Sequence, residues 1–141
     1  MTYKALKKIL VPLDGSKHSL RGLNLALVFA KSTGTTIIGL NVFSYPSIIP
    51  LSLDMKNKIK KKSEEVIKQA KAISQKANVT FTGITKINDN VGNAIITVAE
   101  KHRADIVVIG SSGPDPESNM FLGSVANYVV NKSTIPVVIV K

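Results

Sequence analysis

The sequence predicts a doubly wound α/β fold, a five-stranded parallel sheet with helices on both faces. Three observations lead there. Two short runs, Lys8–Leu13 and Asp105–Ile109, are continuously apolar rather than alternating, as strands covered on both faces are. Five strand-like runs alternate with four helical ones along the 141 residues. Each of the two apolar runs ends in a polar break containing glycine, Asp14-Gly15-Ser16 and Gly110-Ser111-Ser112-Gly113.

The first strand is Lys8–Leu13, broken by Asp14-Gly15-Ser16. From Ser16 to about Ser32, Leu20, Leu23, Leu27 and Ala30 recur at three or four and mark an amphipathic helix, with Gly34 as its C-cap. Thr35–Val42 is rich in β-branched residues and reads as the second strand. The stretch from Phe43 to Leu53 has two prolines and no steady period, and reads as an ordered loop. A long helix follows from Asp54 to about Ala77. Met55, Ile59, Val66, Ala70, Ile73 and Ala77 form its apolar side, and eight lysines from Lys56 to Lys76 its polar side. Val79–Thr85 is the third strand. Asp89-Asn90 cap a helix to about Arg103 whose buried stripe is Val91, Ile95, Val98 and Ala99. Asp105–Ile109 is the fourth strand. A last helix from Gly123 to about Lys132 precedes the fifth, Ile135–Val140.

Right-handed crossovers and a chain that winds outward from strand 1 and then returns to its other side give the order 3-2-1-4-5. Ligands in such sheets bind where the order reverses, beyond the carboxyl ends of the central strands. Those ends are Asp14 and Gly110.

Composition narrows the chemistry. There is no cysteine, so disulfides, thiolate catalysis and cysteine zinc sites are excluded. Two histidines, His18 and His102, are too few for a histidine metal centre. The amino-terminal run is too short for a signal peptide or a membrane span, so a cytoplasmic protein without membrane insertion is expected, one domain over residues 1–141. Net charge is +10, which attracts polyanions, yet only two of nineteen basic residues are Arg. Arg is the residue suited to bidentate phosphate and base contacts, so specific nucleic-acid binding is not expected. The lysine helix face lacks interleaved aromatics and reads as solvated.

At the strand ends, glycines of the Gly110–Gly113 segment allow close backbone approach to an anion, and free amides at Gly123-Ser124 suit a phosphate. The alternative is a plain turn with Ser124 as a helix cap. Asp14 could accept from a ligand hydroxyl or hold a divalent ion that bridges phosphates, or simply cap the first helix. The backbone of Val42 could read the edge of a flat base, or Val42 could be core. His18 reads as exposed or as a local cap partner. No Walker lysine follows the glycines, and no nucleophilic triad can be assembled around the serines.

The chain resembles the universal stress protein family. The resemblance rests on Val11-Pro12-Leu13-Asp14-Gly15-Ser16 with Ser19, on Ala104–Gly110, on the spacing Gly110-x2-Gly113-x9-Gly123-Ser124, and on Pro136–Val140. It implies a homodimer joined through the C-terminal edge strand, a role in stress resistance, and ATP or another adenine nucleotide, with Mg2+ or Mn2+ as a possible companion. It also implies site roles. Asp14 would contact ribose or a metal, and the Val42 backbone would bind adenine. Gly110 and Gly113 would wrap the ribose-phosphate side, and Gly123, Ser124 and Val125 would meet phosphate and ribose. Pro12, Leu13 and Ser111 complete the set. The chain departs from the family pattern at Ser112, where a basic residue is common, at Asp115 and Glu117 in the same loop, and at Asp89, where glycine is frequent. Three functions are compatible with this: a nucleotide-binding regulatory module, a protein-interaction dimer without nucleotide, and a slow ATPase.

Overall fold

The computed structural model describes residues 5–46, 50–112 and 122–141. Five strands form in it: β1 (Lys8–Pro12), β2 (Thr36–Phe43), β3 (Phe81–Ile87), β4 (Ile106–Gly110) and β5 (Val137–Val140). All pairs are parallel and the order is β3-β2-β1-β4-β5, as expected. The helices are α1 (Lys17–Thr33), α2 (Leu53–Lys76), α3 (Val91–Lys101) and α4 (Ser124–Lys132).

The continuous apolar runs are explained by cover on both faces. Along β1, Ile9 and Val11 point into one core layer with Leu23 and Leu27 of α1 and Ala70 of α2. Leu10, between them, points into the other, with Ile95 and Val98 of α3 and Ala126 and Val129 of α4. In β4, Val108 and Val107 divide in the same way. Ile9, Leu10 and Val11 are all fully buried.

Local chemistry sets the helix ends. Ser16 caps α1, its hydroxyl accepting from Ser19 N–H at 3.2 Å. Gly34 ends α1 in the left-handed region, φ 70°, with its N–H on the Ala30 carbonyl. Asn90, rather than Asp89, caps α3 through Asn93 N–H. At the sheet's other end, the Asp105 carboxylate accepts the backbone N–H groups of Lys7 and Lys8 at 2.8 and 3.0 Å, so it fixes where β1 begins.

Several expectations need correction. Strand β3 starts at Phe81, not Val79. Asn78 adopts φ 56° and the Val79 N–H bonds the Ser74 carbonyl at 3.0 Å, so Val79 belongs to the turn that closes α2. Likewise β5 starts at Val137 rather than Ile135, because the Ser133 side chain holds Ile135 in a turn through two hydrogen bonds. Met55 is not core. The first turn of α2 stands clear of the sheet, leaving Leu53 73% and Met55 52% exposed. Two serines that periodicity passed over, Ser63 and Ser74, are buried on its inner face. The eight lysines of α2 are exposed, in agreement with a solvated face. One of them, Lys56, sets its ammonium 5.7 Å from the centre of the Tyr45 ring. Among the described residues, no helix is long and apolar enough to cross a membrane.

Two glycines, Gly39 and Gly83, are tight points in the α2 layer, and Gly39 tests this packing. A Cβ on Gly39 would lie 2.3 Å from Cζ of Phe81 and 3.0 Å from Cδ1 of Leu13. Gly39→Ala is therefore expected to destabilise the protein by about 1–3 kcal/mol through overpacking. Adding Phe81→Leu should recover part of that loss. Urea unfolding of the two variants checks it, and a single variant as stable as wild type contradicts the packing.

Candidate functional site

The carboxyl ends of β2, β1 and β4 lie side by side, and each ends differently. After β1, Pro12 is half-buried, Leu13 is buried and Asp14 is exposed. Gly15 takes φ +85°, a conformation that an L side chain rarely adopts and that turns the chain into α1. Oδ1 of Asp14 accepts the Ser16 N–H at 2.8 Å, an Asx turn. The buried Ser19 hydroxyl donates to the Ser16 carbonyl at 3.0 Å and accepts from Asp14 N–H at 3.4 Å. The turn is thus closed by its own side chains, and the Asp14 carboxylate stays at the surface above β1.

At β2, backbone direction alternates along the strand. Thr36 N–H bonds Lys7 and the Leu40 carbonyl accepts from Leu13, so even-numbered residues face β1. Ile37 N–H bonds Thr80 and the Phe43 carbonyl accepts from Asn88, so odd-numbered residues face β3. By this alternation the N–H and C=O of Val42 face the β1 side. The last backbone bond between β1 and β2 among the described residues is Leu13 N–H to Leu40 C=O, 2.7 Å. Val42 lies one step beyond it, so its peptide edge is open where β1 has already turned away.

At β4, Gly110 has no room for a side chain. A Cβ there would sit 2.6 Å from the carbonyl oxygen of His18, in the first turn of α1. Helix packing alone thus requires this glycine, a reason the sequence did not show. Ser111 is buried and bridges two elements. Its N–H donates to the Val140 carbonyl at 2.8 Å, and its carbonyl accepts from Gly123 N–H at 2.7 Å. This bond draws the start of α4 to the end of β4. Gly123 is the N-cap of α4 and supplies no side-chain cap. Its own amide is engaged, so the first-turn amides of Ser124, Val125 and Ala126 are the ones the helix leaves open. Ser124 is exposed and Val125 half-buried. Ser124 is the first helical residue, not the cap.

The structure thus brings together Pro12, Leu13, Asp14, Val42, Gly110, Ser111, Gly123, Ser124 and Val125 along one edge of the sheet. Gly113, Asp115 and Glu117 lie outside the described residues. His18 is half-buried, and its Nδ1 is shielded without a hydrogen-bond partner among the described residues. No group of three metal-ligating side chains forms among the described residues. An ion at Asp14 would rely on one carboxylate together with ligand phosphates and water, which is the usual arrangement for Mg2+.

One buried polar pair beside this edge was not anticipated. Asn41 and Ser63 are 6% and 4% exposed. The Ser63 hydroxyl donates to Asn41 Oδ1 at 2.5 Å, and Asn41 Nδ2 donates to the Leu13 carbonyl at 2.7 Å. An amide inside an otherwise apolar strand was the available signal.

Sheet order and parallel pairing define the Rossmann-like doubly wound class. Within it, this chain belongs to the universal stress protein family, whose family model matches residues 5–141. Universal stress protein MJ0531 of Methanocaldococcus jannaschii is 29% identical over 141 residues, covering 96% of this chain and 82% of its own length. YxiE of Bacillus subtilis is 28% identical, covering 95% and 98%. The solved structure of MJ0577, from the same archaeon, superposes with a TM-score of 0.86 at 26% identity, covering 98% of this chain and 97% of that one. Solved family members at 21–23% identity include one in complex with cAMP, one from Archaeoglobus fulgidus with dAMP and one from Arabidopsis thaliana with AMP bound. Their TM-scores are 0.76, 0.74 and 0.74, and each covers at least 96% of this chain and 91% of its own. Homologues of this fold therefore bind adenine nucleotides.

Because the atom facing Gly110 belongs to backbone, it cannot swing aside. Gly110→Ala is expected to cost about 1–3 kcal/mol of stability with or without any ligand. Chemical denaturation of the ligand-free protein checks this. A neutral result would return Gly110 to a purely ligand-facing role.

Proposed function

We propose that this chain is a cytoplasmic adenine-nucleotide-binding module, one domain over residues 1–141, which takes ATP with Mg2+ or Mn2+ in a stress-related regulatory role with little or no turnover. The observation that carries this reading is the open peptide edge of Val42, set in a row with Asp14 and the uncapped start of α4. Neighbouring strands are about 4.8 Å apart, so β2 and β4 ends stand about 10 Å apart across β1. A nucleotide laid across that row would place its base on Val42, its ribose over Pro12, Leu13 and Asp14, and its phosphates toward Gly110, Ser111 and the amides of α4. Gly113 would join them, as the glycine spacing suggests. Amides and the dipole at a helix start favour phosphate. The family members bound to AMP, dAMP and cAMP support the same class of ligand.

A second reading is a dimeric interaction module without nucleotide. It is favoured by Gly110, which helix packing explains by itself, and by the internal bond of Gly123.

Calorimetry separates the two. ATP with Mg2+ should release heat and protect the protein against unfolding, and no response at millimolar nucleotide would rule the first reading out. Asp14→Asn is the informative variant, since an amide oxygen can still accept from Ser16 N–H while the charge is gone. It should leave stability within about 0.5 kcal/mol. Its affinity for Mg-ATP should fall about 10- to 100-fold, the loss of a hydrogen bond to a charged group.

For assembly, we propose a homodimer through β5. All four residues of that edge strand are half-buried apolar residues, whereas β3, the opposite edge, exposes Thr82 and Thr85 and bears Lys86. An uncharged β-branched edge favours self-pairing, and antiparallel pairing about a two-fold axis satisfies both copies. Light scattering should give twice the 15.1 kDa chain mass. A folded Val138→Lys variant should shift toward monomer, and a wild type monomeric at all accessible concentrations would overturn the assignment.

A further inference from the structure

We propose that Asn41 is a positioning residue, whose side chain takes the Leu13 carbonyl away from the sheet ladder and thereby keeps the Val42 amide free to read a base. The inference rests on the nucleotide reading above and adds to it the device that makes the base edge available.

Parallel-strand geometry sets which amide each carbonyl meets. When one residue donates to the carbonyl of residue i−1 on the neighbouring strand, its own carbonyl accepts from residue i+1. Leu13 N–H donates to the Leu40 carbonyl. A continuing ladder would therefore pair the Leu13 carbonyl with the N–H of Val42. In this protein that carbonyl accepts instead from Asn41 Nδ2 at 2.7 Å. The carbonyl is an acceptor only, so the amide nitrogen must face it. The remaining oxygen accepts from the Ser63 hydroxyl of α2, so both ends of the buried amide are satisfied. Both side chains are more than nine-tenths buried, so water does not compete for these bonds.

The alternative is that Asn41 merely satisfies a buried carbonyl. Position 41 does not need a polar residue for that. An aliphatic side chain would suit the apolar layer around it, and the Leu13 carbonyl would have the Val42 N–H as its partner. The amide at 41 replaces a backbone bond with a side-chain bond, and the group it releases lies on the ligand-facing edge.

The test uses the full chain, with Asn41→Leu as the main variant and Ser63→Ala as the control that removes only the supporting hydroxyl. Amide hydrogen exchange reads Val42 directly. In wild type without nucleotide, the Val42 amide should exchange quickly, and ATP with Mg2+ should slow it. In Asn41→Leu it should be protected with or without ATP, although the protein as a whole is less stable. A general packing defect would move it in the opposite direction. ATP affinity of Asn41→Leu should fall at least tenfold, and the preference for ATP over ITP, whose base edge has the reverse donor–acceptor pattern, should approach unity. Ser63→Ala should keep a fast-exchanging Val42 and an ATP affinity within about threefold of wild type. If Asn41→Leu fails to fold, Asn41→Ser, too short to reach the Leu13 carbonyl, takes its place with the same expectations. A Val42 amide that stays unprotected in the variant, or a Ser63→Ala loss as large as that of Asn41→Leu, overturns the proposal. A wild type that binds neither ATP nor ITP defeats the nucleotide reading instead, and Val42 exchange in the two chains then still decides whether Asn41 diverts the ladder.

Discussion

A side-chain amide stands where the apolar layer between sheet and α2 reaches the carboxyl ends of the strands, and the relative placement of three elements depends on it. Asn41 binds the end of β1 through the Leu13 carbonyl and the middle of α2 through the Ser63 hydroxyl. A buried polar group left without partners costs about 1–3 kcal/mol, so each of these atoms restricts where the others can sit. Apolar contacts do not impose this. Ile9, Val11 and Ile37 would accept small shifts of α2 at little cost, because burial has no direction. Directional bonds at the end of the sheet convert a generic layered core into one with a defined edge.

The opposite layer is controlled differently. Between α3 and α4, a Cβ on Gly92 would lie 2.4 Å from the Tyr128 ring, so close helix approach rather than hydrogen bonding sets the spacing. Gly110 serves the same purpose under α1, on the face that α1 shares with α2. Close glycine contacts thus act on both faces of the sheet, and the α2 face adds directional side-chain bonds to them.

Much of this fold was legible because burial on both faces leaves a trace in composition. The uninterrupted runs at β1 and β4 and the glycine breaks after them sufficed for strand order. Boundaries were less legible where one residue type serves two settings. Val79 is β-branched and buried, as a strand residue would be, yet it closes the left-handed turn after Asn78. Met55 continues the period of α2 past the point where the body ends, and periodicity says nothing about what lies opposite. At the site, residue identity pointed to Asp14 and to the glycine loop, but not to which atoms were already engaged. The Gly123 amide is taken by Ser111, and the conformation of Asp14 is held by Ser16. The first depends on a contact between two elements that spacing does not show, and the second on a local turn.

Ser111 ties the edge strand to the start of α4. Its N–H holds the last residue of the edge strand, and its carbonyl holds the first amide of α4. One buried residue therefore belongs to both the outer border of the sheet and the start of α4. Neither can tilt without straining a bond to the other. Any attachment that favours one geometry of β5 biases α4 by the same free energy with which occupancy of α4 biases β5, since such coupling is reciprocal. If the proposed dimer and the proposed nucleotide site both form, joining of subunits and filling of the site are thermodynamically linked through Ser111.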